Sequence, residues 1–191
     1  MNPGPTVRIF TLVLPLFFLL SGCKCAEKTR APEPAPKLEK LVAHEQLAAL
    51  LPKLQGWEGG KPLSAISKRG QNEVSQASAS YEKKVEEQTQ TVTIELIDAE
   101  HDPSVFAPLA IMVHSGEGAE SGHKRGIEIQ GFHGIEEWQV ETQSVLLALV
   151  VGNRFLVRLS GSHVPEATVK EWMNAIDLKK LASLVKPPAQ P

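Results

Sequence analysis

The sequence predicts an α+β domain, a mostly antiparallel sheet packed against N-terminal and C-terminal helices. Three observations carry this. Leu38, Leu41, Val42, Leu47, Leu50, Leu51 and Leu54 recur at threes and fours among Lys, Glu and Gln, the period of one helix face. From Ser144 to Ser160 the period drops to two: Val145, Leu147, Leu149 and Val151 alternate up to Gly152-Asn153, and Phe155, Val157 and Leu159 alternate away from it. The helical period returns at Val169, Trp172, Met173 and Ile176. Helices flanking a run of alternating segments are the mark of an α+β layer structure.

Each element has its own signals. The first helix is expected over Leu38 to Leu54, with Pro52 and Gly56 as its stops. Trp57 to about Gly70 is rich in Gly, Pro and Ser and reads as irregular or weakly extended. Val74 to Lys83 and Thr89 to Ile97 alternate, the second with β-branched Val92, Thr93 and Ile94, so two paired strands are expected through the charged turn Lys83 to Gln88. Ala77, Ser78, Ala79 and Ser80 make one strand small-sided, which allows a helix to pack closely or leaves a shallow trough. Asp102-Pro103 has the form of an N-cap followed by proline in the first turn, so a helix is expected over Ser104 to Val113, weakened by Pro108. Ile127 to Gln130 and Ile135 to Val140 are two short strands, broken by Gly131 and Gly134. Gly152-Asn153 is expected as a two-residue hairpin turn with positive φ at the glycine. Pro165 stands early in the closing helix, and Asp177 restarts a turn carrying Leu178, Leu181 and Leu184.

This order, Gly56-Trp57 before two strands, a central helix, several strands and a final helix, is similar to the PsbP and Mog1 group of small domains, over roughly Gly56 to Leu184. The resemblance implies scaffold or binding roles more often than enzymatic ones, and it carries over no catalytic residue.

Ahead of the domain, Arg8, the apolar run Ile9 to Leu20 and Leu19-Leu20-Ser21-Gly22-Cys23 follow the order of a secretory signal: basic start, apolar stretch, small residues before the cut. The five residues resemble the lipobox of bacterial lipoproteins. The resemblance implies that Cys23 carries a diacylglyceryl group and, after cleavage before it, an often acylated amine. A membrane-spanning helix needs about 20 apolar residues, whereas Ile9 to Leu20 offers twelve interrupted by Pro15. One short acyl chain binds a membrane only reversibly, while two or three hold it. No twin arginine precedes the run, so Sec-type export is expected. Lys24 stands where an inner-membrane retention aspartate would sit in enteric bacteria, so the periplasmic face of the outer membrane is preferred.

The expected organisation is a signal peptide over 1–22, a lipid-anchored Pro-rich tether over 23–37, one domain over 38–185 and a disordered tail over 186–191. Pro32, Pro34 and Pro36 stiffen the tether, which reaches at most roughly 40 Å at about 3.1 Å per residue. Removing residues 1–22 takes away Arg8 and no acid, leaving 19 bases against 22 acids and a net charge of −3. That offers no field for nucleic acid. With Cys23 acylated, Cys25 has no intramolecular partner; it reads as an idle thiol in the tether, with pairing between molecules the alternative.

Reaction motifs are sparse. Gly161-Ser162-His163 lacks the second glycine of a nucleophile elbow, and Gly116 to Lys124 lacks the phosphate-loop spacing. His114, His123 and His133 stand near Glu117, Glu120 and Glu136, but no pair has tight ligand spacing; no metal and no cofactor are expected. Glu136-Glu137, adjacent on a strand, point to opposite faces and read as a charged rim. The segment Ser115 to Arg125, loosened by Gly116, Gly118 and Gly122, is expected as a loop that presents Glu117, Glu120, His123, Lys124 and Arg125 to a ligand, with Trp57 and Trp138 each lining a groove or anchoring the core. The function expected is that of a non-enzymatic envelope lipoprotein that binds an envelope protein or a small ligand; a metal-assisted or other envelope enzyme is the alternative.

Overall fold

In a computed structural model of the chain, residues 40–59, 61–107, 109 and 122–185 are described. Two units separate at Met1–Pro36 and Lys37–Pro191; the lipobox, Cys23, Cys25 and the Pro-rich segment lie outside the described residues, as do the tail 186–191, His114, Glu117 and Glu120. No helix among the described residues is long and apolar enough to cross a membrane.

The strands are β1 (Glu58–Gly59), β2 (Leu63–Arg69), β3 (Asn72–Val85), β4 (Gln88–Asp98), β5 (Gly122–Ile129), β6 (Phe132–Gln139), β7 (Ser144–Val151) and β8 (Phe155–Ser162); β2 is a regular strand, paired with β3 over its whole length, inside the stretch expected as irregular or weakly extended. They form one antiparallel sheet in the order β1-β3-β4-β8-β7-β6-β5, with β2 also on the outer edge of β3. Two meanders therefore meet at the β4–β8 pair, where Ile94 stands opposite Leu159. Helices α1 (His44–Ala48), α2 (Glu166–Ala175) and α3 (Leu178–Ser183) cover one face, burying Leu47, Val169, Met173 and Leu181 against Ile94, Leu147, Phe155 and Leu159. Leu47 reaches the sheet beside Ala77 and Ala79, so the small-sided strand serves close helix packing. On the other face a smaller cluster of Val74, Ile97, Ile135, Ala148 and Leu156 lies under Val105 and Phe106 of the 3₁₀ turn Pro103–Phe106.

The expected first helix is much shorter than Leu38 to Leu54. Ala43 is extended (φ −60°, ψ 131°) and helix runs only through Ala48; after it, Leu50 and Leu51 N–H groups bond three residues back, to Leu47 and Ala48 carbonyls. Val42, Leu47, Leu50 and Leu54 are buried all the same, because turns as well as helix bring residues three and four apart to one side. The backbone before Ala43 is engaged elsewhere. Asp98 and Arg154, both buried, form a two-pronged pair (Arg154 Nε to Oδ1 2.8 Å, Nη2 to Oδ2 2.7 Å). Asp98 Oδ2 also accepts from Val42 N at 2.7 Å and Arg154 Nη2 donates to Lys40 O at 2.8 Å. The clamp fastens the first described residues to the end of β4 and the β7–β8 turn.

That turn has three residues, not two, since Val151 pairs with Phe155. Gly152 and Asn153 both take positive φ (59° and 53°), Arg154 N donates to Val151 O at 3.2 Å, and Arg154 is the extra residue that Asp98 draws inward. Phe155, Val157 and Leu159 face the core as expected. The central helix begins as a 3₁₀ turn, and residues 110–113 lie outside the described residues. β5 starts at Gly122, so His123, Lys124 and Arg125 sit on a strand and not in a loop. The closing helices stand where the apolar period places them, with Asp177 Oδ1 accepting from Lys180 N at 2.8 Å as the cap of α3.

The strands give the domain two poles. Lys40, the turn after β4 and the β7–β8 turn share one. At the far pole lie the β3–β4 and β6–β7 turns and the corner from β8 into α2.

Candidate functional site

Antiparallel pairing of β5 with β6 sets Arg125 opposite Glu136 and His123 opposite Trp138. Side chains two apart share a face, so His123, Arg125, Glu136 and Trp138 all point toward the helices. The first turn of α2 lies above them, and Glu166 and Lys170, four apart, project from one of its sides. Five titratable side chains thus meet between the sheet and a helix.

Glu136 is wholly buried. Its Oε2 accepts from Arg125 Nε at 2.6 Å, and Lys170 Nζ lies 3.0 Å from Oε1. Glu166 Oε1 accepts from Arg125 Nη2 and from Lys170 Nζ, both at 2.7 Å. Arg125 and Lys170 therefore each bridge the two carboxylates. The hydrogen bond from Lys170 holds the Glu166 carboxyl below its usual range against the opposing effect of burial, with the Lys170, His123 and Arg125 charges assisting. Burial is the largest single influence on Lys170 and lowers it, but its contacts with Glu166 and Glu136 together raise the ammonium above its usual value. The Arg125 guanidinium is raised too, chiefly by its hydrogen bond to Glu136.

His123 Nε2 is buried, without a hydrogen-bond partner among the described residues; it faces Glu136 Oε2 at 3.5 Å and Glu166 Oε1 at 3.9 Å. One ligand atom from each of these three residues lies within 4.8 Å of the others. Zinc bonds of about 2.0 to 2.2 Å span ligand atoms about 3.4 Å apart, so spacing alone fits a divalent ion. Charge does not. Arg125 and Lys170 already set two cations against the two carboxylates, and the oxygens that would ligate a metal already accept from them.

Beside this cluster, at the far pole, Trp138 and Glu166 line a cleft together with Gln88, Gln90, Gln143 and His163. The β6–β7 turn is braced by hydroxyls: Thr142 Oγ1 and Ser144 Oγ lie 3.2 and 3.3 Å from Gln139 Oε1, and 2.8 Å from each other.

Of the expected ligand-binding residues, His123 and Arg125 enter the cluster. Lys124 points to the opposite face and pairs with Glu137 at 3.4 Å. Trp57 stands on another flank of α2, edge-on to Trp172 with ring centres 4.5 Å apart, and lines a groove with Tyr81 and Pro62; it is an anchor and a groove wall at once. His133 is 85% exposed at the clamped pole, far from His123. Glu136 is core and not rim, because its phase on β6 matches Trp138. Sequence reasoning passed over Glu166 and Lys170, although an acid followed four residues later by a base at a helix start is a legible pair. Compared with known proteins, the chain matches no family model, no curated protein and no solved structure.

Proposed function

We propose that the chain is a lipid-anchored protein of a bacterial cell envelope whose domain binds a partner or ligand without transforming it. The anchor reading rests on Leu19-Leu20-Ser21-Gly22-Cys23 behind the apolar run, with Cys23 acylated and Lys24 favouring the periplasmic face of the outer membrane. The observation that carries the binding reading is that both carboxylates gathered at the site are committed to Arg125 and Lys170. A general acid needs a carboxyl whose proton is retained near neutrality, and Glu166 is shifted the other way. The alternative, a metal-assisted enzyme, draws on the convergence of His123, Glu136 and Glu166, but it requires displacing two bound cations.

The PsbP and Mog1 likeness is proposed on the same footing. Four strands, β1 to β4, stand between Gly56-Trp57 and the 3₁₀ turn where the likeness implies two; the 3₁₀ turn, the four strands after it and α2 are the part of the order that supports it. The clamp of Lys40 and Val42 fixes the first described residues of the domain.

Labelling cells with a radioactive fatty acid tests the anchor: wild-type protein should incorporate label and partition into detergent, and Cys23→Ser should accumulate as unlabelled precursor. Photo-crosslinkers at Gln143 and at Trp57 in the intact envelope should then capture a defined species. An unlabelled, fully soluble wild type would defeat the anchor, and turnover of a captured ligand would defeat the binding reading.

A further inference from the structure

We propose that the far-pole cleft is a binding site for an uncharged, polyhydroxylated ligand, a neutral glycan of one or two sugar units in contact. The proposal rests on the binding-module reading above and names its ligand class.

Three properties of the cleft carry it. The first is chemistry. Gln88, Gln90 and Gln143 approach from β4 and from the β6–β7 turn. Each amide offers two N–H donors and one acceptor without net charge. A sugar hydroxyl is likewise donor and acceptor, so paired amides satisfy it in both senses. Among the described residues lining the cleft, Glu166 is the one formally charged side chain, and its Oε1 is held by Arg125 and Lys170. Among the described residues that line it a phosphate would find no lysine or arginine, and an amine would share Glu166 with two cations.

The second is shape. Trp138, half-buried, and Val140, 50% exposed, both line the cleft. A flat indole beside an apolar shoulder matches the C–H face of a pyranose, while its edges reach the amides. The volume, about 360 Å³, stands at the small end of ligand pockets, about 300 to 1,000 Å³.

The third is preorganisation. Gln143 and His163 both have left-handed backbone, φ 45° and 58°, a conformation costly for residues other than glycine and concentrated where structure holds a side chain for a purpose. The two positions are tied together by His163 N donating to Gln143 O at 2.9 Å. The His163 ring is fixed in turn by Nδ1 lying 3.0 Å from Ser162 Oγ. A site whose walls are set in advance loses less on binding.

The test uses the full chain purified in detergent and saturation-transfer NMR, with chitotetraose and cellotetraose as neutral probes and glucose 6-phosphate and glucosamine as charged ones. At least one neutral oligosaccharide should bind, with a dissociation constant of about 1 mM or tighter, and the charged sugars more weakly. Gln143→Gly suits the positive φ and keeps the fold, and combined with Gln90→Ser it should weaken binding about tenfold at an unchanged melting temperature. Trp138→Phe should weaken it while the Trp57 side of the molecule is undisturbed. Binding that survives these substitutions, tighter binding of glucose 6-phosphate, or no neutral sugar bound would each overturn the proposal. In the last case, capture of an envelope protein through the Trp57 crosslinker would leave the binding-module reading standing. Cleavage of either oligosaccharide would overturn that reading itself.

Discussion

Arg154→Met is the most exacting perturbation of this fold. The Arg154 side chain is 4% exposed and Asp98 is fully buried, so the carboxylate depends on protein groups for its solvation. Two of its contacts, at 2.8 and 2.7 Å, come from Arg154. Methionine replaces most of the arginine stem, so little cavity forms and the cost lies in the stranded charge. Removing one partner of a buried pair costs about 3 to 5 kcal/mol, and losing the bond to Lys40 O adds about 1 kcal/mol. Domain stability is about 5 to 15 kcal/mol in total, so the variant should sit near the edge of folding at ambient temperature. Urea denaturation followed by tryptophan fluorescence measures the loss. Adding Asp98→Asn removes the charge yet keeps an acceptor for Val42 N, and should return about 1 to 3 kcal/mol of the loss. Amide exchange at Val42 should quicken in the single variant, because Asp98 is no longer held in place. A loss under about 1 kcal/mol, or a double variant no more stable than the single, would show that the clamp behaves as a surface pair.

The cluster makes stability depend on pH at both ends. The Glu166 carboxyl is depressed on folding, so its contribution is present above its unfolded value and is lost as pH falls through the lower folded one; the raised Lys170 contributes below its unfolded value and is lost as pH rises through its folded one. Melting temperature should hold level between about pH 5 and pH 10 as far as these groups are concerned, and Glu166→Gln should flatten the acid limb; an unchanged limb refutes the assignment. Gly134→Ala should unfold or rearrange the β6–β7 pair, since a Cβ there would run into the Ala148 carbonyl oxygen, and a wild-type melting curve would contradict that close approach. Zinc should leave the wild-type melting temperature unmoved but raise that of the double variant Arg125→Met, Lys170→Met, in which His123, Glu136 and Glu166 lose their competing cations. Stabilisation of the wild type by zinc, or a large drop on adding a chelator, would instead promote the metal-assisted enzyme.

Much of this architecture was legible because it is written in adjacent residues. Alternation across Val145 to Leu159 requires a strand pair with one face buried, and Gly152-Asn153 supplies the left-handed backbone that its turn needs. The spacing of Val169, Trp172, Met173 and Ile176 requires a helix, and Asp177 caps the next one. Helix length was less legible. Leu38 to Leu54 has the right period, but the period does not say whether helix or successive turns satisfy it, and the clamp engages Lys40 and Val42 outside any helix.

The site was legible only in fragments. His123 and Arg125 attract notice as bases among glycines, yet their loop turned out to be a strand, and Lys124 was turned away by the same alternation. Glu136 looked like rim because charge is usually solvated; its burial follows from Arg125 and Lys170 reaching it from two other elements. Arg125 and Glu166 are 41 residues apart, and Asp98 and Arg154 are 56 apart. By itself the sequence determined the α+β character, the strand pair on either side of Gly152-Asn153, the closing helices and which side of each is apolar, because backbone preference and periodicity act between near neighbours. Tertiary structure decided that β8 returns to lie against β4, and hence which charges neutralise one another and which amides share a cleft, because burial and pairing energies depend on groups that only the completed sheet brings together.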